Sequence, residues 1–437
     1  MFKIFANAWR VEDIRKKLFF VLLLLLIFRF GSAIPLPGLD LSMVDQARGG
    51  GGAFDQGAVM TIFSMIAGGG VGSLFAMGIA PYITASIIMQ LLTYAIPALD
   101  ELKKEGEEGN KKIQQITRYL AVGLAFLQAA ATVFSYTNFN NSGLSLFREG
   151  HGNFFVYALA TLAMMSGTIF IMWLAELITE KGIGQGASFL IFANILAALP
   201  GGVMAVWVYL TDGNYLVSSL IVLLVLAVFV AIIAFVVMVH EGERRIPVQY
   251  AKRAAATGRG AGMHSNHNSF IPIKVNMAGV LSIIFAMSLL QFPLQIAQFF
   301  PNNEGLGNIT RFLDWNHPVG AILYVILIFM FTHFYTSFAV NPREMAENLK
   351  KNGGFIPGVR PGTPTSDFIQ TTVNRLSWIG AVFYSLIAIT PIILDRFTPI
   401  NIGFGGTSLL IVTGVALEFV KQLESQLLMR HYKGFLD

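Results

Sequence analysis

Two histidines have a spacing that could support metal chemistry. His264 and His267, in the run HSNH, are close enough to share one ion. A structural zinc site needs four ligands, usually cysteine or histidine, and the neighbours here are glycine, serine and asparagine. A solvated loop is the simpler interpretation, so we predict no metal site.

No other run of residues predicts a catalytic centre. GIGQG, residues 182–186, lacks the lysine of a phosphate-binding loop, and we interpret it as a flexible entry to the next helix. The chain contains no cysteine, which excludes a thiolate nucleophile and a disulfide framework. GxSxG and HExxH are absent too. We therefore predict that the protein is not an enzyme and needs no cofactor.

Composition indicates a polytopic membrane protein. Of the 437 residues, 54% are hydrophobic and only 13% are charged, and the mean hydropathy is +0.63. So few charges could not cover the surface of a soluble protein of this size. Apolar windows of about 18 to 25 residues predict ten spans. They lie at residues 18–36, 73–96, 115–136, 153–175, 185–208, 215–239, 277–299, 318–340, 370–394 and 402–422.

Lysine and arginine orient these spans. Only Arg48, Arg148, Arg311 and Arg396 fall in the loops after spans 1, 3, 7 and 9, whereas nearly all the other basic residues lie at the termini and in the alternate loops. The positive-inside bias then predicts that both termini are cytoplasmic. Five spans precede the outer loop 209–214 and five follow it, so the halves would run in opposite directions, as in an inverted repeat around a path.

Two long cytoplasmic loops, residues 241–275 and 341–376, are rich in basic residues, proline and glycine. The positive-inside bias alone would explain the charge of these loops, but not their length or their proline and glycine residues. We therefore interpret them as docking surfaces. Within the spans, ionisable groups are few, and His333 is the deepest candidate. This scarcity argues against a proton-driven or sodium-driven carrier and favours a passive conduit.

The apolar stretch from Met60 to Leu92 is too long for one span and is interrupted by three glycines, residues 68–70. The piece at residues 59–68 is too short to cross. Beyond it, Ile79 and Ile83 share one helix face, and Pro81 between them would loosen that helix. Taken alone, such apolar residues are explained by lipid contact or core packing.

Several long motifs closely resemble the bacterial SecY family, the main subunit of the Sec preprotein-translocation channel. The resemblance covers essentially the whole chain, in order. Its motifs are IPLPG (34–38), GIAPYITASIIMQLL (78–92), MWLAELITEKGIGQGASFLIFA (172–193), IPIKVNMAGV (271–280), GGFIPGVRPG (353–362) and FGGTSLLIV (404–412).

The resemblance implies an all-α fold of ten transmembrane helices in two inverted five-helix halves that form an hourglass channel with a plug helix. The halves would be residues 1–211 and 212–437, with the plug within about 59–70. The implied pore ring is Ile79, Ile83, Ile191, Leu281, Ile284 and Ile411. The implied plug is Thr61, Ile62, Phe63, Ser64, Met65, Ile66 and Ala67.

The resemblance also implies a lateral gate and partners. The gate would contain Thr84, Gln128 and Asn276, whose weak polarity suits a seam that must separate. The residues expected to face the ATPase SecA or the ribosome are Arg244, Arg245, Lys252, Arg253 and Arg360. SecE and SecG would be membrane partners. A signal-bearing preprotein would be the cargo, in the bacterial cytoplasmic membrane.

Two other functions remain open from the residues. A secondary transporter with inverted repeats would need a polar or charged site at the midplane, which the sequence does not show. A structural scaffold would leave the two long docking loops unexplained.

Overall fold

The computed structural model describes residues 8–40, 72–137, 147, 153–212, 215–250, 269–275, 277, 279–297, 304–313, 317–397 and 406–433. Within these ranges it contains ten principal helices. They are α1 (Glu12–Ala33), α2 (Ala80–Ala95), α4 (Glu107–Thr137), α5 (Phe154–Lys181), α6 (Gly186–Asp212), α7 (Tyr215–Glu241), α8 (Leu281–Ala297), α10 (Pro318–Ala339), α12 (Thr363–Phe397) and α13 (Gly406–Lys433).

Three shorter helices and three strands complete the described fold. The short helices are α3 (Pro97–Lys104), α9 (Glu304–Leu313) and α11 (Pro342–Lys351), and the strands are β1 (Glu243–Tyr250), β2 (Ser269–Lys274) and β3 (Gly354–Phe355). The ten principal helices correspond one to one with the ten predicted spans, which confirms the predicted helical membrane fold.

The helices are apolar on more than their buried face. On α1, Val21, Leu24 and Phe28 are buried along one side, while Leu23 and Phe30 are more than half exposed on others. A helix that is apolar all round belongs in lipid. By length and composition, six described helices are able to cross a membrane, or seven if the bent pair α2–α3 is one span. The charged residues of α1 and the 17-residue length of α8 set them apart from those six.

The second predicted span differs from expectation at both ends. Residues 72–79 form turns, so the helix begins at Ala80 rather than near residue 73. Pro81 therefore lies in the first helical turn, where a missing backbone N–H costs nothing, and the prediction that it loosens the helix is wrong. After Ala95 the chain bends by 99° into α3.

Two seams separate the first five principal helices, which end with α6, from the five that follow. Within the first group, α1 packs on α5 and α6, and α4 packs on α2 and α5. Within the second, α10 packs on α8 and α12, and α13 packs on α7 and α12. Between the groups, α8 contacts α2 and α4 on one side, while α6 contacts α7 and α13 on the other.

The two long cytoplasmic loops fold together, which their sequences did not predict. β1 pairs antiparallel with β2 and with β3, in the order β2-β1-β3, so the strands of one loop join that of the other. Ile246, Val248 and Ile273 pack with Leu349 and Ile369 beneath this sheet. We call β1–β3 together with α11 the cytoplasmic module.

Candidate functional site

The six predicted pore-ring residues belong to, or pack against, one extensive apolar cluster. Ile79, Ile191, Ile284 and Ile411 are at most 7% exposed and belong to the same cluster. Ile83 and Leu281 are half-buried and pack against it. The contributing segments are the turn before α2 and the helices α2, α6, α8 and α13. The cluster therefore includes residues more than 300 positions apart in sequence, drawn from both helix groups.

The turn before α2 is held in place by aromatic stacking. Phe75 lies between Phe28 of α1 and Phe170 of α5, with ring centroids 6.0 Å from each. A Cβ at Gly31 would overlap the Phe75 ring, and one at Gly167 would overlap the carbonyl of Leu74. These two glycines let the turn approach both helices, which fixes the position from which Ile79 enters the cluster.

The IPLPG motif anchors the other side of this turn. The Leu74 amide donates to the Ile34 carbonyl at 2.8 Å, and the Leu36 amide donates to the Gly72 carbonyl at 2.9 Å. The two segments thus pair like short antiparallel strands around Pro35 and Ser73. The motif after α1 therefore has a structural role in positioning the ring.

The GIGQG segment is a packed turn rather than the flexible entry that we predicted. Gly184 has φ +97°, and a Cβ at Gly186 would overlap the carbonyl of Ala175. The Gly186 amide donates to Thr179 Oγ1 at 2.9 Å. These contacts fix the start of α6, which carries Ile191.

The two predicted gate residues that the structure describes lie on α2 and α4, which both contact α8. Thr84 is on α2, where its hydroxyl donates to the Ala80 carbonyl of the same helix at 3.1 Å. Gln128, on α4, is buried. Asn276 lies outside the described residues. Thr84 and Gln128 are thus on the two helices of the first group that contact α8, but the hydroxyl of Thr84 bonds within its own helix.

An aromatic contact that the sequence did not reveal also crosses this side of the protein. Tyr94 of α2 meets Phe334 of α10 edge to face, with ring centroids 5.5 Å apart and planes at 82°. Both residues lie near the cytoplasmic ends of their helices. The pairing depends on residues 240 positions apart, so no local pattern signals it.

The predicted docking residues are partly described. Arg244 and Arg245 are exposed on β1, and Arg360 is exposed just before α12. Arg245 Nε lies 2.6 Å from Glu243 Oε1, and its guanidinium lies 4.8 Å from the centre of the Phe270 ring. Lys252 and Arg253, like the plug residues 61–67, lie outside the described residues, as do His264 and His267. The hairpin thus holds Arg245 in place and presents Arg244 beside it.

Comparison with known proteins identifies the family. The family model described as SecY matches residues 73–420. The translocase subunit SecY of Halalkalibacterium halodurans is 43% identical over 450 residues and aligns over the whole of both chains. The corresponding Bacillus subtilis protein is 42% identical, again over the whole of both chains. The chain belongs to the SecY family.

Two solved structures share the fold of this chain. A structure described as a protein-conducting channel has a TM-score of 0.62 at 18% identity and covers 93% of this chain and 90% of that one. A Sec61 chain from a canine ribosome–channel complex has a TM-score of 0.58, also at 18% identity, with 93% and 90% covered. At such identities the likeness shows the fold alone.

Elsewhere in the first helix group, α2, α3 and α4 line an open cleft of about 210 Å³ that contains several polar side chains. Ser86, Gln90 and Thr93 line it from α2, Gln114 lines it from α4, and Lys103 lines it from α3. Burial lowers the pKa of Lys103, and the charge of nearby Asp100 acts in the opposite direction. The helix that carries Ile83 is therefore polar on one face towards the cytoplasm.

The one histidine predicted within a span is hydrogen-bonded. His333 Nδ1 of α10 lies 3.1 Å from Ser377 Oγ of α12. This contact joins α10 to α12.

Proposed function

We propose that this chain is the pore-forming subunit of a protein-conducting channel in the bacterial cytoplasmic membrane. It moves unfolded preproteins across the membrane and releases transmembrane segments sideways into lipid. Both termini are cytoplasmic. The observation that carries this proposal is that six apolar side chains from both helix groups share one apolar cluster, in a member of the SecY family.

The chain divides functionally into halves at residues 1–211 and 212–437. The contacts within each helix group, and the two seams between the groups, support this division. Opening of the seam at α8 would part α2 and α4 from α8 and α10, giving a signal segment a route into lipid. A polar backbone cannot face lipid unpaired, so the route across the membrane must be separate and aqueous.

The apolar ring seals the resting channel. A constriction lined by isoleucine and leucine excludes water and ions by dewetting. Residues 61–67 would add a plug on its outer side. Deletion of these residues is expected to raise ion conductance through the resting channel, and unchanged conductance would contradict the plug assignment.

The exposed basic residues on the cytoplasmic module and just after it form the docking surface. Arg244 and Arg245 on β1, and Arg360 between β3 and α12, supply positive charge that complements an acidic partner surface. We assign this surface, with Lys252 and Arg253, to the ATPase SecA and the ribosome. SecE and SecG are the membrane partners. The channel itself performs no chemistry and requires no cofactor.

Reconstitution tests the proposal directly. The full chain, with SecE and SecG in vesicles, is given SecA, ATP and a signal-bearing polypeptide, and protease protection reports its entry. Protection that depends on ATP and on the signal is expected. Absence of protection combined with saturable uptake of a small solute would instead favour a secondary transporter.

A further inference from the structure

Three ring-bearing helices each carry a buried polar residue one turn beyond the ring. α6 and α8 run outwards and α13 runs inwards, so positions +3, +4 and −3 all lie on the outer side. The pairs are Ile191 with Asn194, Ile284 with Ser288, and Ile411 with Ser408. Positions three or four apart share a helix face, which places these polar groups on the face that carries the ring, about 5 Å further out.

These polar side chains are buried as deeply as the isoleucines beside them. Asn194, Ser288 and Ser408 are 6%, 8% and 0% exposed. Among the described residues, Asn194 Nδ2 and Ser408 Oγ have no hydrogen-bond partner. A buried polar group without a partner costs about 1–3 kcal/mol, so two such groups beside the constriction point to a ligand that occupies the site in another state.

We propose that Asn194, Ser288 and Ser408 form a polar collar that hydrogen-bonds the backbone of the polypeptide in transit, an inference that rests on the proposed function. The amide of Asn194 donates to carbonyl oxygens, and a serine hydroxyl both donates and accepts. An extended chain presents a peptide group about every 3.3 Å. A collar that hydrogen-bonds only the backbone can therefore bind a polypeptide of any sequence.

The chemistry of the collar also suits continuous movement. Its three side chains are neutral, and a neutral hydrogen bond contributes only about 1 kcal/mol net, so each contact is readily exchanged for the next. A charged collar would hold some side chains and repel others. Just beyond an apolar ring, where the backbone has left bulk water, such exchangeable partners lower the cost of passage.

The test compares translocation times for substrates of increasing length in the reconstituted full channel. In a plot of translocation time against substrate length, the slope gives the time per residue. The intercept contains the time needed for docking and for channel opening. We expect Asn194→Leu/Ser408→Ala to lengthen the time per residue about fivefold, the effect of losing one hydrogen bond per step. The variant Asn194→Ser/Ser408→Ala keeps a hydroxyl at position 194 and changes the packing differently. Its slope should lie between those of the wild type and of Asn194→Leu/Ser408→Ala.

A matched control separates the collar from general packing. Ser385 is equally buried, on α12, and donates to the Ala381 carbonyl at 2.8 Å, so Ser385→Ala should leave the slope unchanged. A slope unchanged in the collar variants, with only the intercept altered, would overturn the proposal and indicate ordered water or an effect on the closed channel. An equal slope change in Ser385→Ala would also overturn it. If the wild-type channel moved no substrate at any length, the proposed function itself would fail.

Discussion

The contact between Tyr94 and Phe334 offers a direct test of how firmly the seam is closed. It joins α2 to α10, which lie on opposite sides of the proposed lateral gate. Replacing Tyr94 with alanine removes the contact without introducing charge. Because an open gate separates these helices, the contact stabilises only the closed state, and its loss is expected to favour opening.

The size of the effect follows from the geometry. Tyr94 is 74% exposed, so its removal uncovers little buried area, and the ring–ring interaction dominates. An edge-to-face pair at 5.5 Å contributes about 0.5–1 kcal/mol, the lower part of the range for aromatic pairs. The closed-to-open ratio should therefore fall about two- to fivefold.

Single-channel conductance of the reconstituted complex measures this ratio. Tyr94→Ala and Phe334→Ala should each raise the opening frequency by a similar factor, and insertion of weakly apolar signals should improve in parallel. Because each variant loses the same contact, the double variant should add little to either. Tyr119→Ala on α4 is the matched control, since Tyr119 is also 78% exposed.

Additive effects in the double variant would refute the reasoning, because they would show that the two rings act independently. An equal rise for Tyr119→Ala would do the same, since loss of any exposed aromatic ring would then explain the result.

Three further predictions concern position, packing and docking. Gly167→Ala should raise resting conductance, because its Cβ would displace the carbonyl of Leu74 and the turn that carries the ring. Arg118→Gln should lower the Tm by several degrees, because it leaves Glu176, 13% exposed and 2.6 Å from Arg118 Nε, without its partner; a Tm equal to wild type would count against this bridge. Arg360→Glu should reduce SecA-driven translocation about tenfold or more while assembly with SecE stays normal, with Arg360→Gln intermediate; normal translocation by the reconstituted Glu variant would remove Arg360 from the docking surface.

The sequence predicted the ten helices because their signal is local and strong. Each span is a run of apolar residues whose length is set by the bilayer, and the structure departs from the predictions mainly at the ends. The grouping of Ile79, Ile191 and Ile411 was expected from the resemblance rather than from the residues. Apolar side chains in a membrane helix do not reveal whether they face lipid, a neighbouring helix or a pore.

The cytoplasmic module was missed although part of its signal was present. Ile246 and Val248 alternate with Pro247 and Gln249, a period-2 pattern typical of a half-buried strand. What the sequence could not supply was the pairing of β1 with β3, which lies more than 100 residues further on. The 99° bend between α2 and α3 and the contact of Tyr94 with Phe334 depend in the same way on distant neighbours.

The cytoplasmic module gives a bound partner a structural link to the proposed lateral gate. β2 leads through residues 275–280 into α8, the helix on the second side of the seam, and the Val275 amide donates to the Gly242 carbonyl at 2.9 Å, where α7 ends. A partner that binds β1 therefore acts on a sheet joined directly to both α7 and α8. The proposed lateral gate itself is closed by contacts such as that of Tyr94 with Phe334, each of which stabilises the closed state by about 1 kcal/mol. A closure of this strength is firm enough to favour the sealed ring, yet weak enough for a partner and an apolar signal segment to overcome together.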